Sequence, residues 1–172
     1  MATLYLVCGK IGSGKSTLAR KLAEKPATLL ISEDHWNSTL WADELKTIED
    51  YVRLSTRLRA AMKPHIVDIL KQDLSVVLDF AANTVKQRAW ARSVIEAAEV
   101  PHELHVLDVP GAVCLQRLRE RNASGTHEFH VTDAEFAQFT RHYLPPSPEE
   151  GFNVIVHRGD RSRGEATPGA CG

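Results

Sequence analysis

Short apolar runs recur along the chain and predict buried strands. Each run is rich in Val, Ile or Leu and is bounded by polar residues, glycine or proline. Continuous apolar runs of this kind are typical of parallel strands that are covered on both faces. The predicted strands are residues 4–8, 28–32, 75–80, 102–109 and 153–157.

Between these runs, apolar residues recur at helical spacing. The predicted helices are residues 17–23, 48–71, 84–98, 111–121 and 132–144. We expect Pro64 to kink or break the second of them because proline lacks an amide hydrogen. Residues 37–43 are predicted to form a polar link, and a Thr132–Glu135 capping box starts the last helix. Alternating strands and helices predict an α/β fold, with a parallel sheet and helices on both faces.

Composition narrows the choice of partners and compartment. Hydrophobic residues make up 43% of the 172 residues, charged residues 25%, and the net charge is −1. Nucleic acid is therefore not an expected partner. No apolar run is long enough to span a membrane, and we see no export leader. Three scattered cysteines form neither a disulfide framework nor a zinc site, which favours a cytoplasmic protein.

The apolar pattern stops before the C-terminal residues, which are rich in Arg, Gly, Ser, Glu and Pro. A segment of this composition cannot bury a core. We therefore expect one domain over residues 1–158, a disordered tail over residues 159–172, and a monomer or homodimer.

The most specific motif follows the first predicted strand. Residues 9–16 read GKIGSGKS, which matches the phosphate-binding pattern GxxxxGK[ST] between a strand and a helix. Glycines let backbone amides curl around a phosphate, and the helix N-terminus favours an anion. In such loops the lysine, here Lys15, reaches the β- and γ-phosphates of ATP, and the hydroxyl of Ser16 binds Mg²⁺. The residues predicted to bind the nucleotide are Gly9, Gly12, Ser13, Gly14, Lys15, Ser16 and Thr17.

A polar and aromatic cluster follows the second predicted strand, at the sheet edge where ligands bind in open α/β folds. Asp34 could orient an acceptor hydroxyl and accept its proton during phosphoryl transfer. The alternative is that Asp34 caps a helix. Glu33 could be the base instead. His35 and Trp36 could line an acceptor pocket or belong to a surface loop.

Asp79 ends an apolar strand in the pattern of a Walker B motif, whose aspartate holds Mg²⁺ directly or through water. A role for Asp79 as a base or an acceptor ligand stays open. Asn83 and Thr84 follow closely. They could line the acceptor site, but we favour capping of the next helix.

Several arginines could stabilise the charge that develops on a transferring phosphoryl group. Arg117 and Arg121 are four residues apart and share a helix face. Both belong to residues 117–131, which could form a lid that excludes water. A solvated helix face is the alternative, which we favour for Arg119. Arg88 could bind acceptor or phosphate, or lie at the surface.

Taken together, these motifs resemble small P-loop kinases that are often grouped with AAA-type ATP-binding proteins. Chloramphenicol phosphotransferase, zeta toxins and gluconate kinase are related families. The residues that carry the resemblance are 9–16, 31–36, 51–53, 57–59, 76–80, 105–110, 114–122, 145–146 and 149–154. The resemblance implies the strand order 2-3-1-4-5, ATP as donor, Asp34 acting on an acceptor hydroxyl, and Arg117 with Arg121 in a lid.

The resemblance also bears on the acceptor. Polynucleotide kinases generally have an arginine shortly after the aspartate of strand two, where this chain has His35, Trp36 and Asn37. That difference argues against a nucleic-acid 5′-hydroxyl. The sequence therefore predicts an ATP- and Mg²⁺-dependent kinase for a hydroxyl of a small molecule, with antibiotics among the acceptors that the related families suggest. The alternatives are a nucleotide or nucleic-acid kinase and a nucleotide-dependent switch.

Overall fold

The computed structural model describes residues 1–125 and 130–159. The strands are Leu4–Cys8 (β1), Thr28–Ser32 (β2), Ser75–Asp79 (β3), His102–Asp108 (β4) and Val154–Arg158 (β5). The helices are Lys15–Ala23 (α1), Glu33–Trp41 (α2), Ile48–Lys71 (α3), Val85–Ala98 (α4), Gly111–Ser124 (α5) and Asp133–Arg141 (α6), with a 3₁₀ turn at Pro148–Glu150.

The five strands form one parallel sheet in the order β2-β3-β1-β4-β5. This confirms the predicted fold class and strand order. In the register of the central strands, Leu6 of β1 lies beside Leu78 of β3 and Leu104 of β4. The carboxyl ends of β1, β2 and β3 therefore meet at one edge of the sheet, which is where ligands bind in open α/β folds.

Side chains of β1 alternate between two hydrophobic cores. Leu4, Leu6 and Cys8 face the larger core, which includes residues of α3 and α4. Tyr5 and Val7 face the smaller core, which α1 covers. Because a strand turns successive side chains to opposite faces, this division places helices on both faces of the sheet, as predicted.

The predicted link over residues 37–43 is wrong, because helix α2 covers most of it. The Ser32 hydroxyl accepts a hydrogen bond from the His35 amide and so caps the helix start. Asn37 is completely buried, and its Nδ2 donates to Ser55 Oγ of α3 at 2.9 Å. A polar residue that looked like part of a loop is instead a buried contact between two helices.

Pro64 does not break α3, which continues from Ile48 to Lys71 with the proline inside it. Apolar residues on both sides of the proline, among them Leu58, Met62, Ile66 and Leu70, are buried in the larger core. A proline inside a helix costs about 3 kcal/mol. Packing of this continuous apolar stripe offsets that cost.

Parts of the predicted lid and tail lie outside the described residues. These parts are residues 126–129 of the lid and residues 160–172 of the tail. Across residues 1–125 and 130–159, none of the helices combines the length and the apolar character needed to cross a bilayer.

Candidate active site

The loop between β1 and α1 has a backbone that needs glycine. Gly12 and Gly14 have positive φ angles of 79° and 99°. A Cβ atom on Gly12 would lie only 2.4 Å from the carbonyl oxygen of Cys114 in α5. Glycine is the residue that accepts both the left-handed conformation and this close approach. The loop therefore packs tightly against α5.

The side chain of Lys15 folds back over the start of the phosphate-binding loop. Its Nζ donates to the carbonyl oxygens of Gly9 at 2.7 Å and Lys10 at 3.0 Å. Burial lowers the pKa of Lys15, and the negative charges of Asp79 and Asp34 oppose that shift. Lys15 therefore contacts the loop carbonyls and lines the same cleft as the two carboxylates.

The structure brings the predicted metal ligands together. Ser16 and Asp79 line the same cleft, and burial raises the pKa of the Asp79 carboxyl while the neighbouring Ser16 hydroxyl and Lys15 ammonium lower it. A hydroxyl and a carboxylate side by side are oxygen ligands that suit Mg²⁺, which typically binds proteins through one or two carboxylates and nucleotide phosphates. The pair Ser16 and Asp79 fits the predicted ion.

Asp34 lines the same cleft from the first turn of α2. Its charge acts on Lys15, and it also raises the pKa of Arg121, which burial lowers. Arg117 lies one turn of α5 before Arg121 and also lines the cleft. Its Nη1 donates to the Ser13 carbonyl at 3.5 Å. A carboxylate, a lysine and two arginines from the three helices α1, α2 and α5 thus line one cleft beside the phosphate-binding loop.

Glu33 also lies at the cleft, but its carboxylate is engaged inside the protein. It accepts hydrogen bonds from Arg59 Nε at 2.8 Å, Arg59 Nη2 at 3.2 Å and the Ala81 amide at 3.1 Å. The Tyr51 hydroxyl donates to it at 3.4 Å. Glu33 is therefore a buried anion that joins α2 to α3 and to the end of β3.

Other predicted site residues lie away from the cleft. His35 and Trp36 are exposed on α2. Arg88 is fully buried and paired with Glu150 at 2.7 Å, and its Nη1 donates to two backbone carbonyls. This internal pairing corrects the expectation that Arg88 reaches a ligand or lies at the surface. Within the predicted loop, Gly9 and Ser13 are buried, whereas Gly12, Gly14, Lys15, Ser16 and Thr17 line the cleft.

Two residues at the site have roles that the sequence analysis did not assign. Asn83 Oδ1 accepts a hydrogen bond from the Gly9 amide at 2.9 Å, so Asn83 supports the phosphate-binding loop while Thr84 caps α4. Arg59 lies under the cleft on α3, with its guanidinium over Phe80 and Trp90. An arginine at helical spacing from buried residues such as Met62 is a sequence signal for a buried ion pair.

The cleft itself is large and continuous. Its volume is about 1240 Å³, and its walls come from the phosphate-binding loop, α3, the start of α4, and α6 with the segment after it. Small-molecule pockets usually have volumes of about 300–1,000 Å³. A cleft of this size can hold a nucleotide and a second small molecule side by side.

Known proteins resemble this chain in sequence or in fold. A protein of Metallosphaera sedula named "Probable thymidylate kinase" is 26% identical over 164 residues, covering 88% of this chain and 83% of the relative. Chaetomium thermophilum Kti12, solved in complex with ADP-AlF3, matches with a TM-score of 0.69 and 17% identity over 93% of this chain and 91% of that one.

Two solved kinases match over similar lengths. The Mycobacterium tuberculosis APS kinase CysC, in complex with AMPPNP and APS, has a TM-score of 0.60 and 24% identity, with 94% of this chain and 90% of that one covered. A gluconokinase from Sinorhizobium meliloti has a TM-score of 0.60 and 17% identity, with 94% and 84% covered. At these identities the structural matches show a shared fold.

The family follows from a separate match. A family model described as an AAA domain matches residues 4–146. That span runs from the start of β1 past the end of α6 and includes the phosphate-binding loop, Asp34, Asp79 and both cleft arginines. Because the match covers most of the chain, the protein belongs to this AAA-domain family of P-loop proteins.

Proposed function

We propose that this protein is an ATP- and Mg²⁺-dependent phosphotransferase that moves the γ-phosphoryl group of ATP to a hydroxyl of a small molecule. The observation that carries the proposal is the convergence of Asp34, Lys15 and Arg121 at one cleft, next to the Ser16–Asp79 pair. A kinase needs this combination of an acceptor-facing carboxylate and cations around the transferred group.

In the proposed reaction, Asp34 accepts the proton of the acceptor hydroxyl as the hydroxyl oxygen bonds to the γ-phosphorus. The bond between that phosphorus and the bridging oxygen of ADP breaks in the same transfer. Lys15, Arg117 and Arg121 stabilise the negative charge on the transferring group, because cations positioned in advance cost no reorganisation during reaction. Glu33 is engaged by Arg59, which favours Asp34 as the base.

Ser16 and Asp79 would hold Mg²⁺ beside the phosphates. Such an ion would neutralise negative charge on the nucleotide phosphates. Asp79 lines the cleft together with Ser16 and Lys15, and both neighbours lower the pKa that burial raises.

The test is transfer from labelled ATP to a panel of antibiotics, sugars, nucleosides, nucleotides and short oligonucleotides. With the acceptor that responds, we expect Asp34→Asn to lower kcat by about 10²–10⁴-fold, the usual contribution of general acid–base catalysis. The affinity for Mg–ATP should change less than about threefold, because the base acts on the acceptor rather than on the donor. The matched control is Asp43→Asn, an exposed aspartate outside the cleft.

Two results would contradict the proposal. Full activity of Asp34→Asn would remove Asp34 from the role of base. Slow ATP hydrolysis that no acceptor accelerates would favour a nucleotide-dependent switch, in which the cleft residues orient water.

A nucleotide kinase is the second candidate. The relative named as a probable thymidylate kinase is similar over 83% of its own length. Transfer from ATP to thymidine monophosphate, with no transfer to neutral alcohols, would favour this candidate over the first.

We also propose that the protein acts in the cytoplasm. Cys8 and Cys114 are buried free thiols in the described part of the chain, which is compatible with a reducing compartment.

A further inference from the structure

The cleft is lined by exposed apolar side chains from three separate parts of the chain. Val52 of α3 is 54% exposed, Val85 at the start of α4 is 54% exposed, and Leu144 after α6 is 56% exposed. All three line the cleft beyond the phosphate-binding loop. Clustered exposed apolar residues mark binding grooves, since single ones are otherwise scattered over a surface. We refer to these three residues as the apolar wall.

An aromatic pair connects the apolar wall to the proposed base. Tyr51, which precedes Val52, meets Phe139 of α6 edge to face, with ring centroids 6.0 Å apart. Burial raises the pKa of Tyr51, and the charges of Glu33 and Asp34 raise it further. The Tyr51 hydroxyl donates to Glu33 at 3.4 Å, and Glu33 is the residue before Asp34. A ligand that reached Asp34 from the apolar wall would therefore pass along aromatic surface.

Several polar side chains around the apolar wall are engaged within the protein. Thr56 Oγ1 donates to the Val52 carbonyl at 2.7 Å, and Ser55 Oγ accepts from Asn37. Gln87 Oε1 accepts from the amides of Asn83 and Thr84, and Glu135 Oε2 accepts from the Thr132 amide. A sugar must exchange many hydrogen bonds to water for hydrogen bonds to protein, and unmet ones are costly. Two further polar atoms of cleft-lining residues, Thr140 Oγ1 and Trp90 Nε1, are buried and have no hydrogen-bond partner among the described residues. They can serve one or two polar groups of a ligand, which is fewer than a sugar carries.

The cations in this half of the cleft are also poorly suited to a charged acceptor. Arg59 is paired with Glu33 at 2.8 Å. Lys46 and Lys86 line the cleft but are exposed, and attraction to an exposed ammonium is weak and screened by salt. The backbone amides at the start of α4 already donate hydrogen bonds to the Thr84 and Gln87 side chains of its capping box. A phosphate or sulfate group on the acceptor would gain little from these groups.

From these observations we infer that the acceptor is a neutral alcohol with a compact apolar or aromatic body. The body packs against the apolar wall and the Tyr51–Phe139 pair, and the hydroxyl points to Asp34. This inference rests on the proposed phosphotransferase function, and it excludes polyhydroxylated sugars and nucleoside monophosphates as preferred acceptors.

The test is calorimetric binding of 2-(1-naphthyl)ethanol to the full chain in the presence of Mg²⁺ and a non-hydrolysable ATP analogue. Gluconate and thymidine monophosphate are the comparison ligands. We expect saturable binding of the naphthyl alcohol, weakened at least about 10-fold by Val52→Asp because a carboxylate would meet the apolar body. The matched control is Val156→Asp on β5, since Val156 is also 54% exposed but lies outside the cleft.

Equal binding of the naphthyl alcohol to both variants would overturn the inference, and so would tighter wild-type binding of gluconate or thymidine monophosphate. If Val52→Asp does not fold, Leu144→Ser tests the opposite side of the apolar wall in the same assay. The two proposals fail differently. Phosphoryl transfer to a sugar that is unaffected by Val52→Asp would support the phosphotransferase function and contradict the apolar acceptor. Val52-dependent binding of the naphthyl alcohol without phosphoryl transfer to any acceptor would support the apolar binding site and contradict the phosphotransferase function.

Discussion

The two ends of the cleft are built in different ways. The phosphate end comes from one continuous segment, residues 9–16, with Asp79 from the neighbouring strand beside it. The apolar end comes from Val52 of α3, Val85 of α4 and Leu144 in the segment after α6, which lie far apart in the sequence. A phosphate can be bound by backbone amides, so its site can be encoded locally. An apolar body needs surfaces that only tertiary packing brings together.

The strongest test of this contrast is at the arginines of α5. We expect Arg121→Ala to lower kcat by at least about 10³-fold, the lower range for an arginine that stabilises a transferring phosphoryl group. Arg121 lines the cleft and lies within the field of Asp34. The naphthyl alcohol should still bind, because its contacts are at the other end. Steady-state kinetics and calorimetry measure the two effects separately.

Arg119 provides the control for that experiment. It lies two residues away on the same helix, is exposed, and pairs with Asp133 of α6 through Nε at 3.2 Å. Exposed ion pairs often contribute nothing measurable, so we expect Arg119→Ala to keep kcat within about twofold of wild type. Equal losses in both variants would show that α5 matters as a structural element and not through Arg121.

The next largest effect is expected where the two ends meet. Arg59 pairs with Glu33 and also donates to the Ala81 carbonyl at 2.7 Å, so it links α2, α3 and the end of β3. Arg59→Met would leave Glu33 as an uncompensated buried charge. We expect the free energy of unfolding to fall by about 3–5 kcal/mol, the usual result of breaking a buried ion pair. Urea denaturation measures this change.

The matched control for Arg59→Met is Arg57→Met, two residues earlier on α3 and exposed. It should leave the urea midpoint unchanged, since exposed substitutions away from special features have small effects. A stable Arg59→Met variant that retained both nucleotide and alcohol binding would mean that the two ends do not depend on this ion pair.

The contrast between the two ends also explains which features the sequence could predict. The strand order comes from family resemblance and is confirmed. The phosphate-binding loop and the proposed Ser16–Asp79 pair come from local patterns, and their side chains line one cleft. Helix α2 was missed because its burial depends on the contact between Asn37 and Ser55, eighteen residues away in the chain. A local pattern contains no information about such a partner.

The arginines illustrate the same limit. Arg88 and Arg121 both occur on helices next to candidate site residues, yet Arg88 is fully buried against Glu150 and Arg121 lines the cleft. The difference arises because the segment that carries Glu150 returns to α4 sixty-two residues after Arg88. Helical spacing predicts which residues share a face, but it does not predict what covers that face. The residues of the apolar wall could not be assigned for the same reason.

The smallest of these effects separates the two ends most cleanly. In Gly12→Ala the new Cβ would lie 2.4 Å from the Cys114 carbonyl oxygen, at a residue with φ of 79°. Relieving the contact requires the loop to move by about 1 Å, and a displacement of that size can cost about 100-fold in rate. We expect that loss in kcat/KM for ATP, whereas Gly111→Ala, where a Cβ meets no atom within 4 Å, should behave as wild type. The affinity for the naphthyl alcohol, measured without nucleotide, should be the same in wild type, Gly12→Ala and Gly111→Ala. If Gly12→Ala weakened that binding as much as it slowed transfer, the two ends would form one cooperative site and the contrast between them would fail.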